Sequence, residues 1–185
     1  MSASPSNKAW GWFAGNLARN PRVRVGLQAL LIIAVAFPLA GWASTTISRH
    51  YTLGLDLQKR SCLPWTAYLI HHEPPATIHR GDILGFYPRG KMGPTFEGKL
   101  VVKMIGGVPG DELLVKDDVF YVNGRRHGRL DLLARLGKAS GYFDRRVAVS
   151  DGNYLFIGTL PRSYDGRYWG FVPRQDIVAS ARPLW

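Results

Sequence analysis

A lysine inside an apolar run and a serine just ahead of a proline are the residues of this chain whose types could do chemistry together. In the stretch LVVKMIGGVPGD, residues 100–111, Lys103 stands among aliphatic side chains and the run closes in a Gly/Pro turn. Alternation with period two puts Val101, Lys103 and Ile105 on one face and Val102 and Met104 on the other, so the amine shares its face with hydrocarbon. Burial penalises a charged lysine and favours the neutral amine, the form able to act as a base. A buried stem with its head reaching water is the other reading of the same pattern. Ser61 opens Ser61-Cys62-Leu63-Pro64-Trp65, where Pro64 stiffens the chain and holds the residue before it extended. A lone serine is ordinarily a solvated or hydrogen-bonded hydroxyl. Beside a desolvated lysine it becomes a candidate nucleophile, because a neutral amine can take the hydroxyl proton as the attack proceeds.

The five histidines point elsewhere. His71 and His72 are adjacent and would face opposite ways in a strand, while His50, His79 and His127 show no H-x-x-x-H spacing. The expectation is no metal site and no cofactor. No histidine lies in a nucleophile motif that would suggest a Ser-His-Asp triad. Cys62 is the only cysteine, so no internal disulfide can form and the core alone must hold the fold.

The elements that would position such a pair separate along the chain. Residues 25–48 contain no charged side chain, and their core, VGLQALLIIAVAFPLAGWA, is about as long as a bilayer-crossing helix needs. Ahead of it stand Lys8, Arg19, Arg22 and Arg24 with no acidic residue, a bias that keeps the N-terminus in the cytoplasm. The expected division is a basic cytoplasmic tail over 1–24, a transmembrane anchor over 25–44 and an exported domain over 45–185. A cleaved secretory signal is the rival, with Gly41-Trp42-Ala43 as its small-residue site. The apolar run exceeds the roughly 7 to 15 residues of a signal's apolar region, which favours the anchor.

Beyond the anchor the chain is rich in Gly, Pro, Val, Tyr and Phe and poor in helical periodicity. That composition predicts a mainly β, antiparallel domain. Strands are expected over 67–70, 83–87, 100–105, 112–115, 119–122, 146–149, 154–157 and 177–180, with a hairpin closing around Lys116, Asp117 and Asp118. Residues 130–136 read as the only exported helix. The net charge of +11 draws four charges from the tail and scatters the rest among acidic residues. Its densest cluster, Arg125, Arg126, His127 and Arg129, follows the turn signal Asn123-Gly124 and reads as a solvated loop, ahead of a lipid contact; nucleic acid is not the expected partner.

Four segments carry a resemblance to a known family. Ser61-Cys62-Leu63-Pro64 resembles the S-x-x-P box of the type I signal peptidases, and Gly81-Asp82-Ile83-Leu84-Gly85-Phe86 their G-D-hydrophobic strand box. Lys103-Met104-Ile105-Gly106-Gly107-Val108-Pro109-Gly110-Asp111 is similar to the lysine box, and Ser163-Tyr164-Asp165-Gly166-Arg167-Tyr168-Trp169-Gly170 to the S-x-D-x-R-Y-W-G box. All four stand in the family's order behind an N-terminal apolar segment. The short run Pro161-Arg162-Ser163-Tyr164-Asp165-Gly166-Arg167 is most similar to the conjugative-transfer, TraF-type branch, whose members mature pilins or other type IV secretion components.

The resemblance implies a signal-peptidase-like fold and a serine endopeptidase acting on exported preproteins or a prepilin. It places the anchor in the bacterial inner membrane and the catalytic domain in the periplasm, with type IV secretion components as further partners. Ser61 would be the nucleophile and Lys103 the general base. Ser163 would orient the lysine, Asp165 and Arg167 would brace the loop as an ion pair, and the Ser61 backbone N–H would help hold the oxyanion. Three departures stand out. Lys59 occupies the place two before the nucleophile where relatives carry Ser, Thr or Gly, Met104 follows the lysine in place of arginine, and the last box opens Gly158-Thr159-Leu160-Pro161-Arg162. Two other readings stay open: a catalytically silent anchored β module in a secretion or pilus assembly, and a membrane-tethered basic protein that binds nucleic acid or anionic lipid.

Overall fold

A computed structural model describes residues 21–58, 61–160 and 162–185. The expected basic tail lies largely outside them, as do Lys59 and Pro161. The chain divides into two units, residues 1–48 and 49–185.

The described part of the first unit belongs to helix α1, Pro21–His50, which runs through Pro38 and buries none of its residues. Its best 18-residue window has a mean hydropathy of 2.0, so by length and composition the helix can cross a membrane. Toward its C-terminal end the hydroxyls of Ser44, Thr45 and Thr46 donate back to the carbonyls of Gly41 and Trp42. That local bonding leaves those polar groups satisfied without water.

The second unit is built of antiparallel strands in two sheets. The larger orders its seven strands β1-β2-β11-β3-β4-β9-β10: β1 Tyr51–Leu55, β2 Ala67–His71, β3 Ile83–Phe86, β4 Val101–Gly107, β9 Asn153–Ile157, β10 Val172–Pro173 and β11 Ile177–Pro183. The smaller sheet, ordered β7-β6-β5-β8, is an excursion between β4 and β9: β5 Glu112–Lys116, β6 Val119–Val122, β7 Arg125–Arg129 and β8 Arg145–Ala148. The central strands are covered on both faces. Leu84, Phe86, Ile105 and Phe156 pack with Ile78 and Ile177 on one side; Leu155 and Ile157 pack with Leu113, Val115, Phe120 and Tyr168 on the other.

Turn chemistry sets the smaller sheet. Asp117 and Asp118 both have positive φ and join Lys116 to its partner Val119, the two-residue connection expected around these residues. Asp144 stabilises it by accepting from the backbone N–H groups of Asp117 and Asp118. Asn123 and Gly124 also both have positive φ, and here the expectation fails. They close a hairpin that pairs Val122 with Arg125, so 125–129 is the edge strand β7 and not a loop. Its residues are nearly all polar, and an exposed charged edge strand carries no apolar alternation to read. The expected helix over 130–136 is reduced to turns and a short 3-10 segment, Ala134–Leu136. A four-residue helix, α2 Gly166–Trp169, appears where none was expected. Leu130 and Leu132 are fully packed, so their apolar spacing serves the core beneath β6 and not a helix face.

Candidate active site

Strand β4 puts Lys103 on the face that alternation predicts. It pairs with Leu84 of β3, is 1 % exposed, and shares its strand face with Val101 and Ile105. The amine does not reach water. Its Nζ donates to Ser163 Oγ at 3.3 Å, and among the described residues no salt bridge engages it. The lysine is therefore held by hydrocarbon along its stem and by one hydroxyl at its head.

Ser163 is placed by the chain around it. It is 2 % exposed, and its N–H donates to Leu160 O at 3.3 Å. Arg162, just before it, has φ of 65°, a left-handed conformation that costs a non-glycine residue of order 1 kcal/mol and is held only where the surroundings over-determine it. Two residues on, Asp165 caps α2 by accepting from Arg167 N at 3.2 Å. The same carboxylate, wholly buried, accepts from Gly158 N at 2.8 Å and from Arg167 Nε and Nη2 at 2.8 and 2.7 Å. Four donors on one carboxylate stabilise a charge that burial alone would penalise. Burial works to lower the Arg167 pKa, but the hydrogen bonds and charge of Asp165 win and raise it. Arg167 also donates to Ser163 O at 3.4 Å, tying the ion pair to the residue that holds the lysine.

Ser61 lies in the loop between β1 and β2 and is only half-buried. Its Oγ donates to Gln58 O at 3.4 Å, not to the lysine. The chain just after it is firmly held. Cys62 O accepts from Thr159 N at 2.9 Å and Leu160 N at 3.2 Å, and Leu63 is 2 % exposed in a cluster with Tyr68, Ile70, Ala179 and Ala181. Of the expected residues, Lys103, Ser163, Asp165 and Arg167 thus form one hydrogen-bonded group. Ser61 joins it through backbone.

The joint is Gly158, a residue named in the sequence only as part of a departure. A Cβ there would stand 2.1 Å from Ser163 Oγ and 2.6 Å from Cys62 O, so the serine loop, the lysine's partner and this backbone converge on a space that no side chain can occupy. The register of β4 and β9 pairs Met104 with Ile157, which brings Gly158 level with Lys103. On the Met104 side, a cleft of about 320 Å³ runs past Gly158 between Phe120, His127, Ile157 and Arg167. Burial, together with Arg125 and Arg167, pushes the His127 pKa down. The side chain of Lys59 is outside the described residues.

This arrangement offers a desolvated amine, a hydroxyl that fixes its direction and a second hydroxyl on an adjoining loop. Those are the parts of acyl transfer by a serine and a lysine. The chain is similar to a probable signal peptidase I-2 of Synechocystis sp., at 35 % identity over 55 % of this chain and 45 % of that protein. It is similar also to signal peptidase I of Rickettsia prowazekii, at 27 % identity over 57 % of this chain and 51 % of the relative. The match thus spans about half the length of these curated relatives. A crystal structure of a signal peptidase I from Enterococcus faecalis aligns with 27 % identity, 56 % of this chain and 96 % of that one, at a TM-score of 0.35. The family model described as signal peptidase, peptidase S26, matches residues 24–185, and the chain belongs to that family.

Proposed function

We propose that the protein is a membrane-anchored serine endopeptidase in which Ser61 attacks a peptide carbonyl and Lys103 moves the proton. The observation that carries this reading is the amine itself: 1 % exposed, engaged by no carboxylate among the described residues, and directed by a single serine hydroxyl. A lysine of ordinary structural use snorkels or pairs. The neutral amine accepts the Ser61 Oγ proton as Oγ bonds to the carbonyl carbon, and the oxyanion forms against the Ser61 backbone N–H. Lys103 then gives that proton to the leaving amine, leaving an ester on Ser61. Water, deprotonated by the same amine, releases the new carboxylate and restores both groups. Ser163 keeps Nζ aimed through both steps, and Asp165 with Arg167 holds Ser163 in place.

The substrates we propose are exported preproteins, and more narrowly a prepilin or another conjugation or type IV secretion component. Support for the narrower class is the short Pro161-to-Arg167 form of the last box. The orientation proposed has the N-terminus in the cytoplasm and the peptidase body across a bacterial inner membrane; it is supported by Lys8, Arg19, Arg22 and Arg24 before the apolar helix, with no acid among them. Anchoring confines the search for a membrane-borne preprotein to a surface.

The decisive experiment is co-expression with candidate preproteins, wild type beside Ser61→Ala and Lys103→Ala. Processing by the wild type and by neither variant, with all three inserted and folded, is the expected result. Processing that survives either substitution overturns the dyad. The rival reading, a silent anchored module, is favoured by one observation: Ser61 Oγ turns to Gln58 O and not to Lys103. Catalytic hydrogen bonds commonly tighten only with substrate present, so this geometry is compatible with an enzyme awaiting its peptide. A wild type that is folded and cuts nothing, while both alanine variants still support assembly, would select the silent module.

A further inference from the structure

Strand β1 is an edge strand, mostly exposed, and its hydrogen-bonded neighbour is β2 alone. The loop joining the two carries Ser61. At the other end of the pair three ligating side chains meet. Nitrogens of His50 and His71 and a carboxylate oxygen of Glu73 all lie within 4.8 Å of one another, with His71 Nε2 and Glu73 Oε2 3.9 Å apart.

The backbone already fixes these three positions. His72 N donates to His50 O at 2.8 Å, Tyr51 pairs with His71, and Ser180 Oγ of β11 donates to Glu73 O at 3.2 Å. The Tyr51 ring stacks on His71 with centroids 4.7 Å apart. Stacking uses the face of the imidazole, whereas a metal ion is bound in the ring plane, so the contact orients His71 and leaves its nitrogens available. His72 faces the other way and is engaged by Thr52 Oγ1 at 2.7 Å, so the cluster is His50, His71 and Glu73.

We propose that His50, His71 and Glu73 bind a divalent transition-metal ion of the zinc type. Two imidazoles and one carboxylate are a donor set for zinc, nickel, copper or cobalt and not for calcium or magnesium. Ligand atoms around zinc stand roughly 3.4 Å apart, as follows from bonds of about 2.0–2.1 Å in a tetrahedron. His50 and Glu73, the side chains that would turn to close the present spread, are both exposed. Three protein ligands leave a position for water. The ion would join the chain entering β1 to the chain leaving β2, and so staple an edge strand otherwise held by its pairing with β2 and by the Tyr51–His71 and Thr52–His72 contacts. Local spacing could not reveal this set, because antiparallel pairing is what brings His50 to His71. None of its residues belongs to the proposed dyad, and the inference stands whether or not the chain is a peptidase.

The test uses the full chain without a polyhistidine tag, in detergent, stripped with a chelator and then dialysed against zinc or cobalt at neutral pH. One equivalent of zinc per chain is expected. Cobalt should give the visible bands of a low-coordinate site without the near-ultraviolet thiolate band that Cys62 would add. His71→Ala and Glu73→Gln should each weaken binding by at least about tenfold, while His127→Ala, on β7, should leave it unchanged. Hydrogen exchange supplies a readout of the staple: zinc should slow exchange of the β1 amides in the wild type and not in Glu73→Gln, a change at an exposed side chain. Absence of stoichiometric binding, or binding untouched by His71→Ala and Glu73→Gln, would overturn the proposal.

Discussion

The two halves of the candidate site are built on different terms. The lysine half is strand and buried loop: Lys103, Ser163 and Asp165 are 1 %, 2 % and 0 % exposed, and their polar atoms are bonded to one another, to the Arg167 guanidinium or to backbone. The serine half is a surface loop whose hydroxyl has one long bond to a local carbonyl. The difference fits the roles proposed for the two groups. A base needs a dry and fixed setting, which only the interior provides. A nucleophile must be reached by an extended peptide, and so it stays at the surface while Cys62 and Leu63 behind it are pinned.

The contrast can be broken most severely at the dyad. Ser61→Ala should abolish peptide cleavage, a loss on the order of 10⁶ as for other serine nucleophiles, while the melting temperature stays put because the hydroxyl's bond to Gln58 O is a long one, at 3.4 Å. Lys103→Met should cost at least about 10² to 10⁴ in cleavage rate and leave stability equal or higher, since hydrocarbon replaces a buried amine that no carboxylate among the described residues engages. A steep stability loss in Lys103→Met would instead mean that the lysine serves the architecture.

Asp165→Ala tests the bracing of the lysine half. It strands the Arg167 guanidinium in a buried site, a change that typically costs about 3–5 kcal/mol, and thermal unfolding should fall by on the order of 10 °C. A variant that melts within a degree or two of wild type would show the pair to be dispensable. Gly158→Ala strikes the joint. The added methyl collides with Ser163 Oγ and Cys62 O, so cleavage should drop by about 10² through misplacement of the reacting groups, with stability less affected than in Asp165→Ala. Normal activity in a folded Gly158→Ala protein would show that the two halves are not coupled there.

The smallest effect belongs to a second acid–guanidinium pair. Asp111 accepts from Arg80, from Val108 N at 2.9 Å and from Asn123 Nδ2 at 2.8 Å; the Arg80 hydrogen bond is the chief cause that lowers the Asp111 pKa to about 2. A carboxylate held below its unfolded value contributes stability that is fully present above about pH 4 and is lost as pH falls through about 2. Because the Arg80 side chain is 52 % exposed, solvent screens the pair and its share is about 1 kcal/mol. Acid unfolding of Arg80→Gln should therefore begin at higher pH than in wild type, and coincident acid transitions would exclude the contribution.

Much of this was legible in the residues. The eight expected strands all form, within one to three residues at either end, because each carries an apolar alternation or run that a sheet must bury. The face of Lys103 follows from the same alternation. Strands β1, β7 and β10 escaped for a common reason: they are exposed, polar or very short, so pairing and not burial makes them strands. The short helix α2 escaped because four residues carry no periodicity, only the Asp165 cap.

By itself, the sequence determined the apolar helix, the antiparallel class and the residues with chemical potential, since composition and period are local properties of the chain. Tertiary structure alone decided that Lys103 is dry, that Gly158 must lack a side chain and that His50 lies beside His71. Those facts depend on strand register and on loops returning from distant parts of the chain, and no pattern along the chain encodes the distance between two segments that meet only after folding.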